Sequence, residues 1–488
     1  MYFIISIFVK DVIRLFLVYN HFSFQFSVFI MHRKPPSRKG SMNNVPRDLM
    51  DQISALEALF TIDKDKLNFI CDMFVKALDK GLSVEGGDIP MIPTWVFGFP
   101  KGDENGGTNL RVCEVELLGN RRYDIVQSQY RIEEECKSGT SEQLFDFVSD
   151  CLKKFLDDNY EQGLRGKKLP LGFTFSYPCH QKRIDHGVLQ RWTKGFDVKG
   201  VEGVDVVPML EAALERKGVP IKVTALINDT TGTLIATNYI DPMTKIAVIF
   251  GTGCNAAYME KAGCIPKLLC LNLPQDTPMA INCEWGAFDN EHRALPRTNY
   301  DAIIDKESPR PGQQSFEKMI AGHYLGEILR LVIIDLAEQK LIFEDQNISK
   351  IGKPYSIGTA VLSEIELHVV VHTIFETRYG IVCTEPERKL IRRVTELIGI
   401  RSARLSATGI AAICRKKGIK ECHVASDGSV FNKYPYFKER GVEALRDLFG
   451  KEGDKITLMG AEDGPGVGAA LIAALTINRK KAGILEEF

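Results

Sequence analysis

The chain has 488 residues, more than one hydrophobic core usually carries, so two domains are expected. A formal net charge of −1 excludes a bulk electrostatic pull toward nucleic acid or an anionic membrane. Twelve scattered cysteines, with no CxxC pair and no His/Cys cluster at metal-ligand spacing, point to reduced thiols in a cytoplasmic protein, not to a disulfide framework or a zinc site.

Met1 to Ile30 is aromatic and aliphatic, but Lys10, Asp11 and Arg14 interrupt it. No run in it approaches the ~20 apolar residues that span a bilayer. Neither a basic start nor a small-residue cleavage site marks a secretory signal. The preferred reading is an untranslated extension, with translation starting at Met31; a membrane or organelle address is the alternative. Residues 31–45 read as a flexible basic tail, within which Arg38-Lys-Gly-Ser41 has the pattern of a basophilic kinase site.

From Pro46 to Lys80 the apolar spacing is helical, with Gly81 as the expected stop. A Pro- and Gly-rich stretch follows, from Gly86 to Gly107. Thr108 to Leu117 reads as a strand, Ser141 to Leu156 as an amphipathic helix, and Leu171 to Ser176 as a strand ending in a polar run. Phe316 to Gln339 and Glu387 to Lys417 are long helical patterns, the second closed by Gly418. Cys422 to Ala425 and Ile456 to Met459 are short strands leading into glycine loops. Strands alternating with helices, with a glycine signature in each half, predict an α/β protein of two lobes around a cleft.

The chemistry concentrates in two runs, Leu226-Ile-Asn-Asp229-Thr-Thr-Gly-Thr233 and Ile246-Ala-Val-Ile-Phe-Gly-Thr-Gly253-Cys-Asn255. Each is a buried-strand pattern that breaks into small polar residues at one sheet edge. The first offers the Asp229 carboxylate beside the Asn228 amide. The second offers backbone N–H groups and the Thr252 hydroxyl, a nest for phosphate oxygens. A base beside a phosphate cradle points to phosphoryl transfer to a hydroxyl.

From Met31 to Asn478 the chain resembles the fungal-type hexokinases, of the sugar kinase, actin and heat-shock ATPase superfamily. The resemblance rests on Leu171-Gly-Phe-Thr-Phe-Ser176, Leu189-Gln-Arg-Trp-Thr-Lys-Gly-Phe196, Leu226 to Thr233, Phe250-Gly-Thr-Gly253, Ile281-Asn-Cys-Glu-Trp-Gly286, Arg310 to Lys318, Val424-Ala-Ser-Asp-Gly-Ser429 and Asp463-Gly-Pro-Gly-Val-Gly468. It implies a two-lobed actin-like (ribonuclease H-like) fold with a sugar- and ATP-binding cleft. The large domain would comprise residues 46–85 and 226–460, the small one 86–225 and 461–480. Asp229 would take the proton of the sugar 6-hydroxyl, with Lys194 as the second catalytic group. Ser176, Thr193, Lys194, Asn228, Asn255, Glu284 and Glu317 would line the sugar site. Gly107, Thr108, Asn109, Arg111, Thr252, Gly253, Gly428 and Ser429 would hold ATP, with Mg²⁺ riding on the nucleotide and no metal cage in the protein. The expected partners are glucose and related hexoses such as fructose and mannose, and ATP, in the first step of glycolysis. A homodimer is compatible with the resemblance; nucleic acid and membrane are not expected.

The chain departs from the family just before Gly107. Members carry an apolar strand ending in Asp-Leu-Gly-Gly-Thr, whereas Gly102-Asp-Glu-Asn-Gly-Gly-Thr108 follows the Pro-rich loop directly, about eight residues short. A lost strand would leave its neighbours' backbone groups unpaired. Leu367 to Tyr379 is a second irregularity, apolar where the family has an acidic loop. The expected function is ATP-dependent phosphorylation of hexoses at O6. The alternative is a catalytically weak, hexokinase-like sugar sensor, on account of the missing strand.

Overall fold

The computed structural model describes residues 4–7, 42, 44–99, 111–130, 134–160, 168–192, 196–367, 371–461 and 464–481. The readings for the basic tail with Ser41, the stretch from 100 to 110, Thr193 and Lys194 lie outside the described residues.

Two mixed sheets organise the molecule. The first has strand order β4-β3-β1-β5-β8, built from β1 (Ile4–Ile7), β3 (Arg111–Gly119), β4 (Arg122–Gln129), β5 (Leu169–Thr174) and β8 (Ile221–Ile227). The second has order β13-β12-β9-β10-β11-β2, built from β2 (Ile92–Pro93), β9 (Thr244–Phe250), β10 (Cys254–Lys261), β11 (Pro278–Asn282), β12 (Cys422–Asp427) and β13 (Ile456–Gly460). Two further short strands, β6 (Cys179–His180) and β7 (Val188–Leu189), pair with each other.

The sheets share a plan. In the second, β9 lies antiparallel to β10 on one side and parallel to β12 on the other. The matching slot of the first sheet, between β3 and β5, is filled by β1 with both relationships inverted. It runs parallel to β3 and antiparallel to β5, with Ile5 opposite Val112 and Phe173. Residues of the apolar N-terminal segment thus lie between β3 and β5, with reversed polarity relative to β9.

Helices cover both sheets. In the first lobe, α3 (Ser141–Asn159) starts at a Thr140–Gln143 capping box, and with α4 (Val206–Arg216) it encloses a core that includes Phe145, Phe155 and Phe173. A larger core around Phe74, Trp285 and Phe316 fills the other. Helices α5 (Asp229–Ile240) and α9 (Gly464–Lys481) cross between the sheets. A Cβ at Gly468 would collide with the Gly232 carbonyl, so that crossing requires glycine.

Two expected single helices are each broken. The first becomes α1 (Arg47–Phe60) and α2 (Lys64–Ser83), because Thr61 turns extended and Asp63 caps the restart, accepting from Lys66 N at 2.8 Å. Gly81 does not stop α2; it lies within the helix, where a Cβ would strike the Ile89 carbonyl. The second becomes α6 (Ser315–Ile320) and α7 (Gly322–Glu338), parted at extended Ala321. The long α8 (Glu385–Lys417) ends at left-handed Gly418 as expected. It is the one described helix long and apolar enough to cross a membrane, and its most apolar window is 89% buried, as in a core helix.

Candidate active site

Parallel strands β5 and β8 end together, since Thr174 lies opposite Ile227. That edge presents Ser176 from one strand and Asn228 and Asp229 from the other. Asn228 caps α5, its Oδ1 accepting from Thr230 N at 2.8 Å. Asp229 opens the helix, and its Oδ1 accepts from Thr230 N at 2.7 Å and from Thr230 Oγ1 at 3.1 Å. The carboxylate is therefore oriented by its neighbour before any ligand arrives.

The hairpin between β9 and β10 brings the second group. Asn255 Nδ2 reaches Asn228 Oδ1 at 3.3 Å, Asn282 Oδ1 at 2.7 Å and Glu284 Oε1 at 3.3 Å. Its Oδ1 accepts from Glu284 N at 2.9 Å. Glu317, from α6, accepts from Cys254 N at 2.8 Å. Asn228, Asp229, Asn255, Glu284 and Glu317 thus converge on one polar cluster. Such a set of amides and carboxylates can satisfy a ring of hydroxyls, each both donor and acceptor.

A cradle of small residues continues from this cluster. Gly251 N donates to Gly253 O at 2.9 Å, and Gly322 N donates to Gly251 O at 2.8 Å. Gly428, at φ +106°, lies so close to Phe250 that a Cβ would come within 2.5 Å of that residue's carbonyl carbon. Thr252 and Ser429 expose their side chains beside this junction. Thr252, Gly253, Gly428 and Ser429 are therefore gathered where β9 and β12 end. Arg111 lies on β3, its backbone opposite Gln129.

Three contributors were not singled out from sequence. Thr230 orients Asp229. Asn282 bridges Asn255 and Glu284. Gln314 keeps a left-handed backbone, and its buried Oε1 has no hydrogen-bond partner among the described residues, near the space beside Gly286. Each stands inside a run already noted, so the signal was adjacency to a site residue. A cleft of about 350 Å³ adjoins the cluster through Ala287 and Asn290, with Asp88, His180, Arg191 and Lys267 on its walls. Burial pushes the Lys267 ammonium below its ordinary pKa, opposed by Glu85.

Hexokinase family models match residues 52–239 and 245–475. A hexokinase of Emericella nidulans is 56% identical over 470 residues, covering 92% of this chain and 96% of the relative. The chain belongs to the hexokinase family. Hexokinase-1 of Saccharomyces cerevisiae is 51% identical over 474 residues, covering 92% of this chain and 97% of that one. Among solved structures, a Schistosoma mansoni hexokinase complexed with glucose superposes with a TM-score of 0.81 at 33% identity, over 88% of this chain and 99% of that one. The resemblance read from sequence motifs and the two-lobed hexokinase fold both hold. The sensor alternative finds no support among these relatives.

Proposed function

We propose that this hexokinase-family chain transfers the γ-phosphoryl group of ATP to the 6-hydroxyl of glucose and related hexoses. The single observation that carries the proposal is the convergence of an oriented Asp229 with the Asn228–Asn255–Glu284–Glu317 cluster, next to the glycine cradle. In this reading Asp229 accepts the 6-hydroxyl proton. Asn228, Asn255, Glu284, Glu317 and Ser176 hold the sugar, together with Thr193 and Lys194. The orphaned Gln314 acceptor fits a hydroxylated ligand. Thr252, Gly253, Gly428 and Ser429 hold ATP, with Gly107, Thr108, Asn109 and Arg111 from the other lobe.

Phosphoryl transfer passes through a loose transition state, so positioning and electrostatics supply most of the catalysis. Mg²⁺ bound to the ATP phosphates would neutralise their charge there. The chain's own residues place the hydroxyl, remove its proton and, by lobe closure, exclude water. We assign residues 46–85 and 226–460 to the large domain and 86–225 and 461–480 to the small one, with β2 (Ile92–Pro93) reaching across to pair with β11 of the large domain's sheet. A cytoplasmic role in glycolysis accords with the reading.

The test is ATP-dependent glucose phosphorylation by the purified chain, with an Asp229→Ala protein as blank. Turnover well above the blank supports the kinase reading. Folded protein with no turnover would overturn it and leave a sugar binder.

A further inference from the structure

Asn282 closes β11, its backbone paired with both Ala257 and Ile92, and only 3% of it is exposed. Its Oδ1 accepts from Asn255 Nδ2 at 2.7 Å, and its Nδ2 donates to Glu284 Oε1 at 2.9 Å. Glu284 N in turn donates to Asn255 Oδ1 at 2.9 Å, which closes a ring of three hydrogen bonds. Both other members belong to the proposed sugar site. We infer that Asn282 is a positioning residue, setting the Asn255 amide and the Glu284 carboxylate for the sugar; the inference rests on the sugar-site reading above.

Glu284 needs such a support. Its backbone is left-handed at φ 55° and ψ 44°, outside both strand and helix. Cys283 on one side is pinned, donating to Ala256 O at 2.9 Å and accepting from Met91 N at 3.0 Å. Those bonds fix the path of the chain, not the direction of the carboxylate. The Asn282 amide supplies that direction. It also holds the nitrogen end of the Asn255 amide, whose Oδ1 is fixed by Ala256 N at 2.7 Å and Glu284 N at 2.9 Å. The 2.7 Å contact to Asn282 is the shortest that Asn255 Nδ2 makes, against 3.3 Å to Asn228 and to Glu284. With Asn282 removed, both ligands keep their backbones, the Glu284 carboxylate loses its 2.9 Å donor and Asn255 Nδ2 loses its shortest acceptor.

The experiment measures glucose KM, ATP KM and kcat for Asn282→Ala, Asn282→Asp and Glu284→Ala. Asn282→Ala should raise glucose KM roughly tenfold and leave ATP KM unchanged, as expected when buried partners lose a hydrogen bond. Asn282→Asp is nearly isosteric and gives the sharper readout, including where the alanine protein does not fold. The introduced carboxyl and that of Glu284 would stand too close to ionise together, so the pair retains a proton in mild acid. In its protonated form the introduced carboxyl donates to Glu284 as the amide does, and glucose KM stays near wild type at about pH 6. As pH rises the proton leaves, the carboxylates repel, and glucose KM climbs roughly tenfold by about pH 8 relative to wild type. A purely structural role would not produce that proton-dependent rescue. Glucose KM equal to wild type across this range, or equal shifts in glucose and ATP KM, would overturn the inference. If Glu284→Ala raises glucose KM while the Asn282 variants do not, only the positioning role fails. If Glu284→Ala leaves glucose KM unchanged, the sugar-site reading fails and takes the inference with it.

Discussion

The backbone amide of Cys254 donates to Oε2 of Glu317 at 2.8 Å, so a carboxylate of the proposed sugar cluster is tied to the same turn that carries Thr252 and Gly253. A Cβ built on Gly253 would stand 2.5 Å from that oxygen. Gly253→Ala should therefore push Glu317 aside and disturb both proposed substrate sites at once. The expected result is a rise of roughly tenfold or more in both glucose and ATP KM, the cost of breaking a charge-assisted bond at close quarters. A change confined to ATP would show that the turn serves the nucleotide alone.

Asp229 offers a cleaner separation of binding from chemistry. Asp229→Asn keeps the size of the side chain and an acceptor for Thr230 N, but it cannot take a proton. Turnover should fall by about 10²–10⁴, the usual contribution of a positioned general base. Glucose affinity, measured by calorimetry without ATP, should change little. A large loss of affinity with turnover kept would assign Asp229 to binding.

How far these residues could be read from sequence depends on how local their information is. Asn228-Asp229 and Gly251-Thr-Gly253 announce themselves, because a buried strand that breaks into polar or glycine residues must deliver them to an edge. Asn282 stayed unread because its role depends on a bond to Asn255, from a neighbouring strand. The helix breaks were illegible for a related reason. Leu59, Phe60 and Leu67 keep the helical period across the Thr61–Asp63 turn, and the restart is decided by one capping carboxylate. Gly81 reads as a stop until Ile89 is seen packed against it. The slot between β3 and β5 shows the limit most clearly. The short run before Gly107 raises the expectation of a missing strand, but nothing in it tells that Ile4–Ile7 pairs with both β3 and β5, since strand pairing at such separation leaves no local periodicity.

Arg401 and Asp301 form a bidentate pair in the large core, at 2.7 and 2.8 Å, with side chains 0% and 2% exposed. Burial alone would raise the Asp301 pKa, but Arg401 and Thr298 outweigh it and hold the carboxyl below its ordinary value. A depressed carboxylate contributes stability that is fully present above its unfolded pKa, about 3.9, and lost as pH falls through the folded value. Asp301→Asn should therefore be much less stable than wild type at neutral pH, with the gap narrowing in acid. Arg401→Met, which strands the charge, should cost about 3–5 kcal/mol at neutral pH. Urea titrations of the three proteins at several pH values check both. A gap that stays constant with pH would remove the ionic explanation.

The pairing of β1 makes the N-terminal segment testable as part of the fold. Without it, β3 and β5 would lie about 9–10 Å apart, twice the normal strand spacing and too far to bond each other. The facing backbone groups, around Val112 to Glu114 and Leu171 to Thr174, would lose their partners. A chain starting at Met31 should then show faster amide exchange in those two stretches and a lower thermal midpoint than the full chain. Ile5→Pro in the full chain should do the same in part, since proline removes a ladder donor. Exchange in β12 and β13, in the other sheet, should be unaffected. If the two chains exchange and melt alike, β1 contributes nothing to stability, and translation from Met31 would suffice for the fold. If the shorter chain loses protection and also glucose phosphorylation, β1 is part of the working fold of this lobe.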